Sequence, residues 1–230
     1  MRLDKFLANM GFGTRTEVKQ LLKKGKVTVN TSVEKSPKSH INPTEDIVCV
    51  NEKQVEFVNN VYIMLNKPKG YISATHDESN RTVIDLIPEY QHLNIFPFGR
   101  LDKDTEGLLL ITNDGQFSHD LMSPSKHVSK TYEVTSQNPV TKADIDAFKK
   151  GIILSDGPVK PAQLTRINET TSQVTIYEGK YHQVKRMFHA IENEVLELKR
   201  LKIANLALDE NLKSGEYKLL SDKELKLLQH

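Results

Sequence analysis

Three carboxylates alternate along a short polar stretch of the chain. Asp102, Asp104 and Glu106 are followed by Gly107, a spacing typical of the start of an EF-hand calcium loop. Such a loop also needs a bidentate carboxylate at its twelfth position, and counting from Asp102 that position is Asn113, which has none. The apolar run after Gly107 is typical of a buried strand. We therefore reject calcium and keep the carboxylates as candidates for other chemistry.

The polar stretch RLDKDTEG lies between two apolar segments, FPFG and LLLIT. A charged loop between strands lies at a sheet end, where functional groups are commonly displayed. The residues alone leave its role open. In one interpretation, the aspartates only make turn hydrogen bonds and an ion pair with Arg100. In the other, one of them is an ionised carboxylate that takes part in catalysis. A third hypothesis is a metal-dependent nuclease that uses Asp102, Asp104 and Glu106, which sensitivity to a chelator would reveal.

Periodicity and capping signals predict the elements that position this loop in a strand-rich body. Strands are predicted near residues 61–66, 95–99, 108–112, 130–136, 159–167, 173–178 and 195–208. Helices are predicted near 116–122, 142–150, 181–192 and 222–228. Thr141 with Asp144, and Ser221 with Glu224, are pairs typical of helix starts. The pattern predicts a mixed, mainly antiparallel α+β body.

The first 40 residues form a basic head. They contain nine Lys and Arg residues against three acidic ones, whereas the whole chain has a net charge of only +2. RLDKFLANM and TRTEVKQLLKKGK are predicted helices, the second with a capping box of Thr14 and Glu17 and a stop at Gly25. KVTVN and DIVCVN are predicted strands, and residues 51–60 a linker.

Exposure to solvent would by itself explain basic residues along one face of the second helix. Because the whole head carries an excess of positive charge, binding of a polyanion is favoured. The predicted RNA-binding residues of the head are Arg2, Lys5, Arg15, Lys19, Lys23, Lys24 and Lys26.

Composition excludes several classes of protein. Hydrophobic residues make up 37% and charged residues 27% of the chain, so a packed core is expected rather than wholesale disorder. No stretch approaches the roughly 18 apolar residues of a membrane span, and the N-terminus lacks the apolar run of a signal peptide. The single cysteine, Cys49, excludes an internal disulfide and a multi-cysteine zinc site. We therefore expect a cytoplasmic protein without membrane association. The sequence also lacks a phosphate loop, a Gly-x-Ser-x-Gly elbow, a His-Glu-x-x-His motif and a Gly-x-Gly-x-x-Gly motif, so we expect neither a metal nor a cofactor.

Four motifs resemble those of a known family. GRLDKDTEGLLLITNDG is similar to the signature loop of pseudouridine synthases, in the branch that modifies single uridines of ribosomal RNA. NKPKG, KTYEV and EGKYHQVKRMF resemble the family's other motifs and stand in the same order. The resemblance covers essentially the whole chain. It implies an RNA-binding module at residues 1–58 and a pseudouridine synthase catalytic domain, with its mainly antiparallel sheet, at residues 59–230.

The head resembles the alpha-L motif, an RNA-binding module first recognised in a small-subunit ribosomal protein. The matching residues are Arg2, Leu3, Asp4, Leu7, Arg15, Gly25, Val27 and Val29. Its basic helix and the following turn would contact the phosphate backbone, which gives affinity with little sequence information.

The resemblance also implies roles for individual residues. Asp102 matches the family's essential aspartate, and Tyr132 matches the tyrosine that packs against the target base. Lys185 stands where the family has an Arg or Lys that pairs with the aspartate, and a lysine supplies charge without arginine's bidentate fork. Arg100 is expected to enter the RNA where the uridine leaves its stack, and Arg186 is expected to bind RNA. The other polar residues of the loop are expected to shape it.

The implied activity is isomerisation of a specific uridine to pseudouridine in ribosomal RNA, by a monomer that needs no cofactor. The Tyr-His-Gln-Val-Lys-Arg form of the last motif and the C-terminal NLALDENLKSGEYKLL resemble enzymes of 16S rRNA. The expected partner is therefore 16S rRNA or a small-subunit assembly intermediate. Two alternatives remain, a large-subunit (23S) rRNA enzyme and a non-catalytic RNA-binding ribosome-assembly factor.

Overall fold

The computed structural model describes residues 1–229, which form two compact units. The N-terminal unit comprises Met1–Val61 together with Glu89–Ile95. The second unit comprises Tyr62–Pro88 and the described residues from Phe96 onward. The sequence did not indicate that Glu89–Ile95 belongs to the N-terminal unit. Among residues 1–229, none of the helices has the length and hydrophobicity of a membrane span.

The described residues form six α-helices, three 3₁₀-helices and fifteen strands. The α-helices are α1 (Leu3–Asn9), α2 (Arg15–Lys23), α3 (Gly115–Met122), α4 (Lys142–Lys150), α5 (Gln183–Ala190) and α6 (Asp222–Lys226). The 3₁₀-helices span Val83–Leu86, Pro88–Leu93 and Pro124–Lys126. The strands are β1 (Val27–Val29), β2 (Ser32–Val33), β3 (Val48–Val50), β4 (Lys53–Gln54), β5 (Tyr62–Lys67), β6 (Phe96–Phe98), β7 (Glu106–Thr112), β8 (Lys130–Ser136), β9 (Ile153–Leu154), β10 (Gly157–Pro158), β11 (Gln163–Arg166), β12 (Thr171–Ile176), β13 (Val195–Ile203), β14 (Leu206–Ala207) and β15 (Tyr217–Leu219).

The N-terminal unit combines α1 and α2 with a four-stranded sheet of order β2-β1-β3-β4. Leu3 and Leu22 from the helices and Val48 from β3 are buried in one apolar cluster. The predicted capping box of α2 is confirmed. The main-chain N–H of Glu17 donates to the Thr14 hydroxyl at 3.3 Å, and the Glu17 carboxylate accepts from the Thr14 N–H at 2.7 Å. Such a cap contributes about 0.5–2 kcal/mol to helix stability.

Residues 51–60, predicted as a linker, contain part of this sheet. Asn51 and Glu52 have positive φ angles of 50° and 66°, and this turn allows β4 to pair with β3. Val55, which follows β4, is only 8% exposed and belongs to the apolar cluster of the unit. The linker prediction is therefore wrong at residues 51–55, because a polar strand of two residues leaves no alternating pattern to detect.

An ion pair with a buried carboxylate stabilises the start of α1. Asp4 is 1% exposed, and Arg2 donates to its carboxylate through Nε at 3.1 Å and Nη2 at 2.7 Å. Burial alone would raise the pKa of Asp4, but the hydrogen bonds and charge of Arg2 outweigh it and hold that pKa below its usual value. Arg2 thus supports the fold of the head, and its RNA contact stays a prediction.

The second unit is built on a nine-stranded sheet. Its main path has the order β11-β12-β8-β13-β7-β5-β15, and β14 and β6 add to β13 and β7. Every described pairing in it is antiparallel except that of β13 with β7. The mixed, mainly antiparallel α+β prediction is therefore confirmed. Met64, Leu110 and Ile203, from three of these strands, meet in one buried cluster.

The helix starts predicted by capping residues are also found in this unit. Thr141 with Asp144 caps α4, and Ser221 with Glu224 caps α6, each as a reciprocal box. Across both units the sequence missed β2, β4, β9, β10 and β15, as well as the 3₁₀-helices. Those strands are two or three residues long, too short to show a period of two.

Candidate active site

One cleft of the second unit collects the three residues expected to be catalytic. Its volume is about 890 Å³, and it is lined by Asp102, by Tyr132 on β8 and by Lys185 on α5. These residues are far apart in the sequence, so only the sheet and α5 can bring them together. Asp102 lies in a loop of residues 99–105, called the aspartate loop below.

The end of β5 holds the main chain of the aspartate loop from one side. Lys67 is fully buried, and its ammonium group donates to the carbonyl oxygens of Thr105 at 2.8 Å and Asp102 at 2.9 Å. Three residues after Lys67, the N–H of Gly70 donates to the Lys103 carbonyl at 2.8 Å. The NKPKG motif therefore serves as the support for the loop that presents Asp102.

Lys67 remains charged in this position at neutral pH. Desolvation lowers the pKa of Lys67 to about 8, although the nearby carboxylates of Asp104, Asp102 and Glu106 oppose that shift. Below this pKa the ammonium has three N–H donors, which suits a place crowded with main-chain carbonyl groups. Burial of the charge is thus compensated by the loop itself.

β13 holds the other end of the aspartate loop through Arg200. This side chain is 1% exposed, and it donates through Nε to the Leu108 carbonyl at 2.8 Å and through Nη2 to the Gly99 carbonyl at 2.9 Å. Nη1 lies 3.5 Å from the hydroxyl of Tyr132. Because a guanidinium is planar and rigid, one side chain fixes both the loop and the tyrosine.

A glycine allows β7 to pass close to β13. Gly107 has a φ of +100°, and it lies opposite Arg200 in the parallel pairing of the two strands. A Cβ at this position would lie 2.3 Å from the carbonyl oxygen of Arg200 and 2.8 Å from its nitrogen. Both the positive φ angle and the lack of room for a Cβ therefore require glycine at this position. The close approach of the two strands that it allows brings Arg200 to the aspartate loop.

The carboxylate of Asp102 lies between two cationic or potentially cationic groups. Its Oδ1 is 3.4 Å from His182 Nε2, and its Oδ2 is 3.5 Å from Lys185 Nζ. Lys185 lies closer to Asp104, at 2.6 and 2.8 Å, and this bond holds the pKa of Asp104 below its usual value. The lysine expected to pair with Asp102 is thus shared between two carboxylates.

Two aromatic rings lie just before α5, and one of them, that of His182, is next to Asp102. His182 has a left-handed backbone with φ of 48°, and its ring stacks on that of Tyr181 with centroids 3.8 Å apart. Both residues line the cleft, and Tyr181 is 77% exposed. An exposed aromatic face beside a charged groove is a typical surface for a nucleic-acid base.

The remaining residues expected to bind RNA occupy different places. Arg100 is exposed and lines the cleft. Arg186 turns to the β9–β10 hairpin, where it pairs with Asp156, and it also donates to the Tyr181 carbonyl at 3.1 Å. Of the residues predicted to bind RNA in the N-terminal unit, Arg2 is half-buried, and the exposed ones are Lys5, Arg15, Lys19, Lys23, Lys24 and Lys26. Contact of any of these with RNA stays a prediction.

The geometry of the aspartate loop gives no support to the nuclease hypothesis. Lys185 lies against both Asp102 and Asp104, and the carboxylate of Glu106 is 4.0 Å from the ammonium of Lys69. Among residues 1–229, no group of three or more His, Cys, Asp or Glu side chains is arranged to hold a metal ion.

Sequence reasoning missed three residues that build this site. Lys67 and His182 lay inside recognised motifs but received no role beside Asp102. Arg200 was counted as part of a strand. The strand pattern could have indicated that Arg200 is buried. Side chains alternate between the two faces of β13, and Leu198 faces the core, so position 200 faces the core as well. A charged residue at an inward strand position requires a buried partner, which here is a set of main-chain carbonyl groups.

Replacing Lys67 with methionine is expected to lower kcat by about 10²-fold, because a misplacement of about 1 Å can cost that much. The carbonyl oxygens of Asp102 and Thr105 would lose their donor, and we expect a loss of about 1–3 kcal/mol in the free energy of unfolding. Steady-state kinetics and urea titration measure both effects.

Lys69→Met is the matched control, because it removes a lysine from the same motif. Lys69 is exposed and pairs with Glu197 at the surface, and such pairs contribute little. Equal kcat values for the Lys67 and Lys69 variants would contradict the role given to Lys67.

Comparison with known families is informative for both units. The RNA pseudouridylate synthase family matches residues 61–190, and the S4 domain family matches residues 1–48. A crystal structure described as a pseudouridylate synthase superposes with a TM-score of 0.71 and 37% sequence identity, and 99% of each chain is covered.

Curated relatives extend this similarity over the whole chain. The uncharacterized RNA pseudouridine synthase YtzG of Bacillus subtilis (strain 168) is 47% identical, with 99% of this chain and 98% of the relative covered. Ribosomal small subunit pseudouridine synthase A is 43% identical in Vibrio cholerae and 39% identical in Escherichia coli (strain K12). For both, 98% of each chain is covered.

Proposed function

Because this chain belongs to the RNA pseudouridylate synthase family and begins with an S4 domain, we propose that it isomerises a specific uridine of 16S ribosomal RNA. Membership of the family confirms the resemblance seen in the sequence, and the protein is an isomerase that acts on RNA. One observation carries the choice of 16S rRNA. The relatives named as small-subunit enzymes are 39–43% identical over 98% of this chain.

The reaction needs no atoms from outside the nucleoside except exchangeable protons. The bond between N1 of uracil and C1′ of ribose breaks, the base turns, and C5 joins the same C1′. The proton on C5 leaves and N1 gains one, so the balance is neutral and neither oxidant nor nucleotide is consumed. A single ionised carboxylate at the sugar suffices, and we assign that role to Asp102.

Three routes use such a carboxylate. Asp102 can attack C1′, as the nucleophile of a retaining glycosidase does. It can remove the 2′ proton of the ribose and give a glycal, or it can add to the uracil ring. Each route requires an ionised carboxylate, and cations within about 4–6 Å favour that form. Lys185 places a positive charge 3.5 Å from the Asp102 carboxylate.

The proposal gives Tyr132 the task of receiving the base. Enzymes that act on a base extrude it from the helix and stack it on aromatic or apolar side chains. Tyr132 is 7% exposed and lines the cleft, and the hydrogen bonds of Arg200 fix the loop end beside its hydroxyl. A ring held this firmly is ready for the uracil, which lowers the ordering cost of binding.

The S4 domain would supply much of the affinity for RNA through phosphate contacts. Replacing Arg15, Lys19 and Lys23 of α2 with alanine is expected to weaken RNA binding. The slope of log K against log salt should also become less steep by about 2, at about 0.7 per lost contact with single-stranded RNA. Filter binding at several salt concentrations measures the slope.

The matched control replaces three lysines of one helix in the other unit. Lys142, Lys149 and Lys150 of α4 are exposed, and alanine suits both helices. If the two triple variants share one salt slope, the S4 domain is not the electrostatic anchor.

Mapping pseudouridines in 16S and 23S rRNA from cells with and without the gene tests the proposed substrate. We expect one 16S pseudouridine to disappear, and to return when the gene is restored. Loss of a 23S pseudouridine instead, or of none in either RNA, would contradict the proposal.

A further inference from the structure

Two basic residues in the cleft lack a counter-charge from residues 1–229. Lys130 begins β8 two positions before Tyr132, so both side chains project from one face of the sheet, and both line the cleft. Lys130 is half-buried, and its ammonium group donates to the Val128 carbonyl at 3.0 Å. Since an ammonium has three donors, two of them have no partner among the described residues.

Arg200 adds a second positive charge beside Lys130. Desolvation and the charge of Arg200 together lower the pKa of Lys130 to about 8, with no opposing carboxylate from the described part of the chain. Arg200 itself donates to main-chain carbonyl groups and not to an acid. Charged side chains that are shielded from water are normally paired. The two cations therefore leave an uncompensated positive potential at this point of the cleft.

The carboxylates that line the cleft are engaged elsewhere. Asp102 lies beside Lys185 and the ring of His182. Glu178 accepts from the main-chain N–H of Lys160 at 2.7 Å and from the side-chain amide of Gln183 at 3.1 Å. These are the two acidic residues among the described cleft lining. The anion that compensates Lys130 must therefore come with the substrate.

We propose that Lys130 binds the backbone phosphate adjoining the uridine that is isomerised, an inference that rests on the proposed function of the cleft. Alternate positions of one strand lie about 7 Å apart, a distance that one nucleotide spans between its base and its phosphate. A base on Tyr132 and a ribose at Asp102 would bring that phosphate to Lys130. Arg200 is too buried for direct contact and adds its charge from behind.

A lysine with a purely structural role would behave differently. If Lys130 only capped the Val128 carbonyl, its loss would lower the melting temperature and affect every RNA equally. A phosphate-binding lysine is an unpaired half-buried charge in the free enzyme, so its replacement by methionine should leave the melting temperature unchanged or raise it.

The test is a double-mutant cycle between protein and RNA on the full chain. The probe is a hairpin around the mapped uridine, with either normal phosphates or a neutral methylphosphonate on one side of that uridine. We expect Lys130→Met to weaken binding of the normal hairpin by about 10- to 100-fold, the range of a hydrogen bond to a charged group. One of the two methylphosphonates should weaken binding to the native chain by a similar factor.

The decisive quantity is the combined effect. We expect Lys130→Met to cause no further loss with that methylphosphonate RNA, and Lys130→Arg to retain most of the affinity. Lys126→Met, at a nearby exposed position, should bind both RNAs like the native chain. The proposal would be overturned if the losses of affinity from Lys130→Met and from the methylphosphonate multiplied. It would also be overturned if Lys130→Met had no larger effect than Lys126→Met, or if it lowered the melting temperature and weakened binding of every RNA equally.

Failure of the proposed function would look different. If the mapped uridine lies in another RNA, the 16S assignment is wrong, and the cycle runs unchanged on a hairpin from that RNA. If the uridine is in 16S rRNA and the losses multiply, the proposed function stands and only the phosphate site falls.

Discussion

Asp102→Asn is expected to abolish isomerisation, with a loss of about 10⁴-fold or more, the scale seen when an essential catalytic group is removed. The amide keeps the size of the side chain but cannot attack C1′, take the 2′ proton or add to the ring. RNA binding should persist or strengthen, because the substitution removes a negative charge near the phosphates. RNA with tritium at C5 of uridine reports the reaction, since tritium leaves as C5 joins the sugar.

Asp104→Asn is the matched control for this prediction. It lies in the same loop and accepts from the same lysine, Lys185, at 2.6 Å, but it is exposed. We expect it to lose no more than about 10-fold, because a surface ion pair contributes about 0–1 kcal/mol. If Asp102→Asn stayed active while Asp104→Asn became inactive, the catalytic carboxylate would be Asp104. That result would contradict the role assigned to Asp102.

Gly107→Ala is expected to give the largest loss of stability. The new Cβ would lie 2.3 Å from the main-chain oxygen of Arg200, and φ at this position is +100°. Left-handed backbone strain costs about 1–3 kcal/mol, and overpacking costs a similar amount, so we expect a loss of about 3–5 kcal/mol in the free energy of unfolding. That loss corresponds to a fall of about 6–20 °C in melting temperature. Calorimetry measures it directly.

Gly115→Ala provides the comparison. Gly115 begins α3, its φ is not in the left-handed region, and a Cβ there has no atom within 4 Å. The alanine should be neutral or stabilise by up to about 1 kcal/mol, since it restricts the unfolded chain. If Gly107→Ala melted within about 2 °C of the Gly115→Ala variant, the close approach of β7 and β13 would not be a constraint on the fold.

Much of the fold follows from local signals in the sequence. Thr14 with Glu17 predicts the start of α2, and both side chains make the bonds that the pattern requires. Long strands such as β7 and β8 show the period and composition expected of buried and half-buried segments. Short elements leave no such pattern, which is why β4 was taken as a linker and β15 was missed.

The supports of the site could not be predicted in the same way. Lys67 and Arg200 are charged residues whose partners are main-chain carbonyl groups. Local pattern and propensity do not show where a distant carbonyl will lie. The sharing of Lys185 between Asp102 and Asp104 likewise depends on the position of α5 over the loop. Motifs therefore indicated which segments meet, and only the structure showed which side chains hold them.

The central claim is that the Asp102 carboxylate meets the ribose of an extruded uridine whose base lies on Tyr132. The most direct measurement is a structure of the chain with a hairpin that carries 5-fluorouridine at the mapped site, since fluorine at C5 cannot leave as a proton and should hold the complex. We predict that the nucleotide lies in the cleft, with its sugar at Asp102 and its ring against Tyr132. A uridine still stacked in the hairpin, or a ribose bound away from Asp102, would contradict this account.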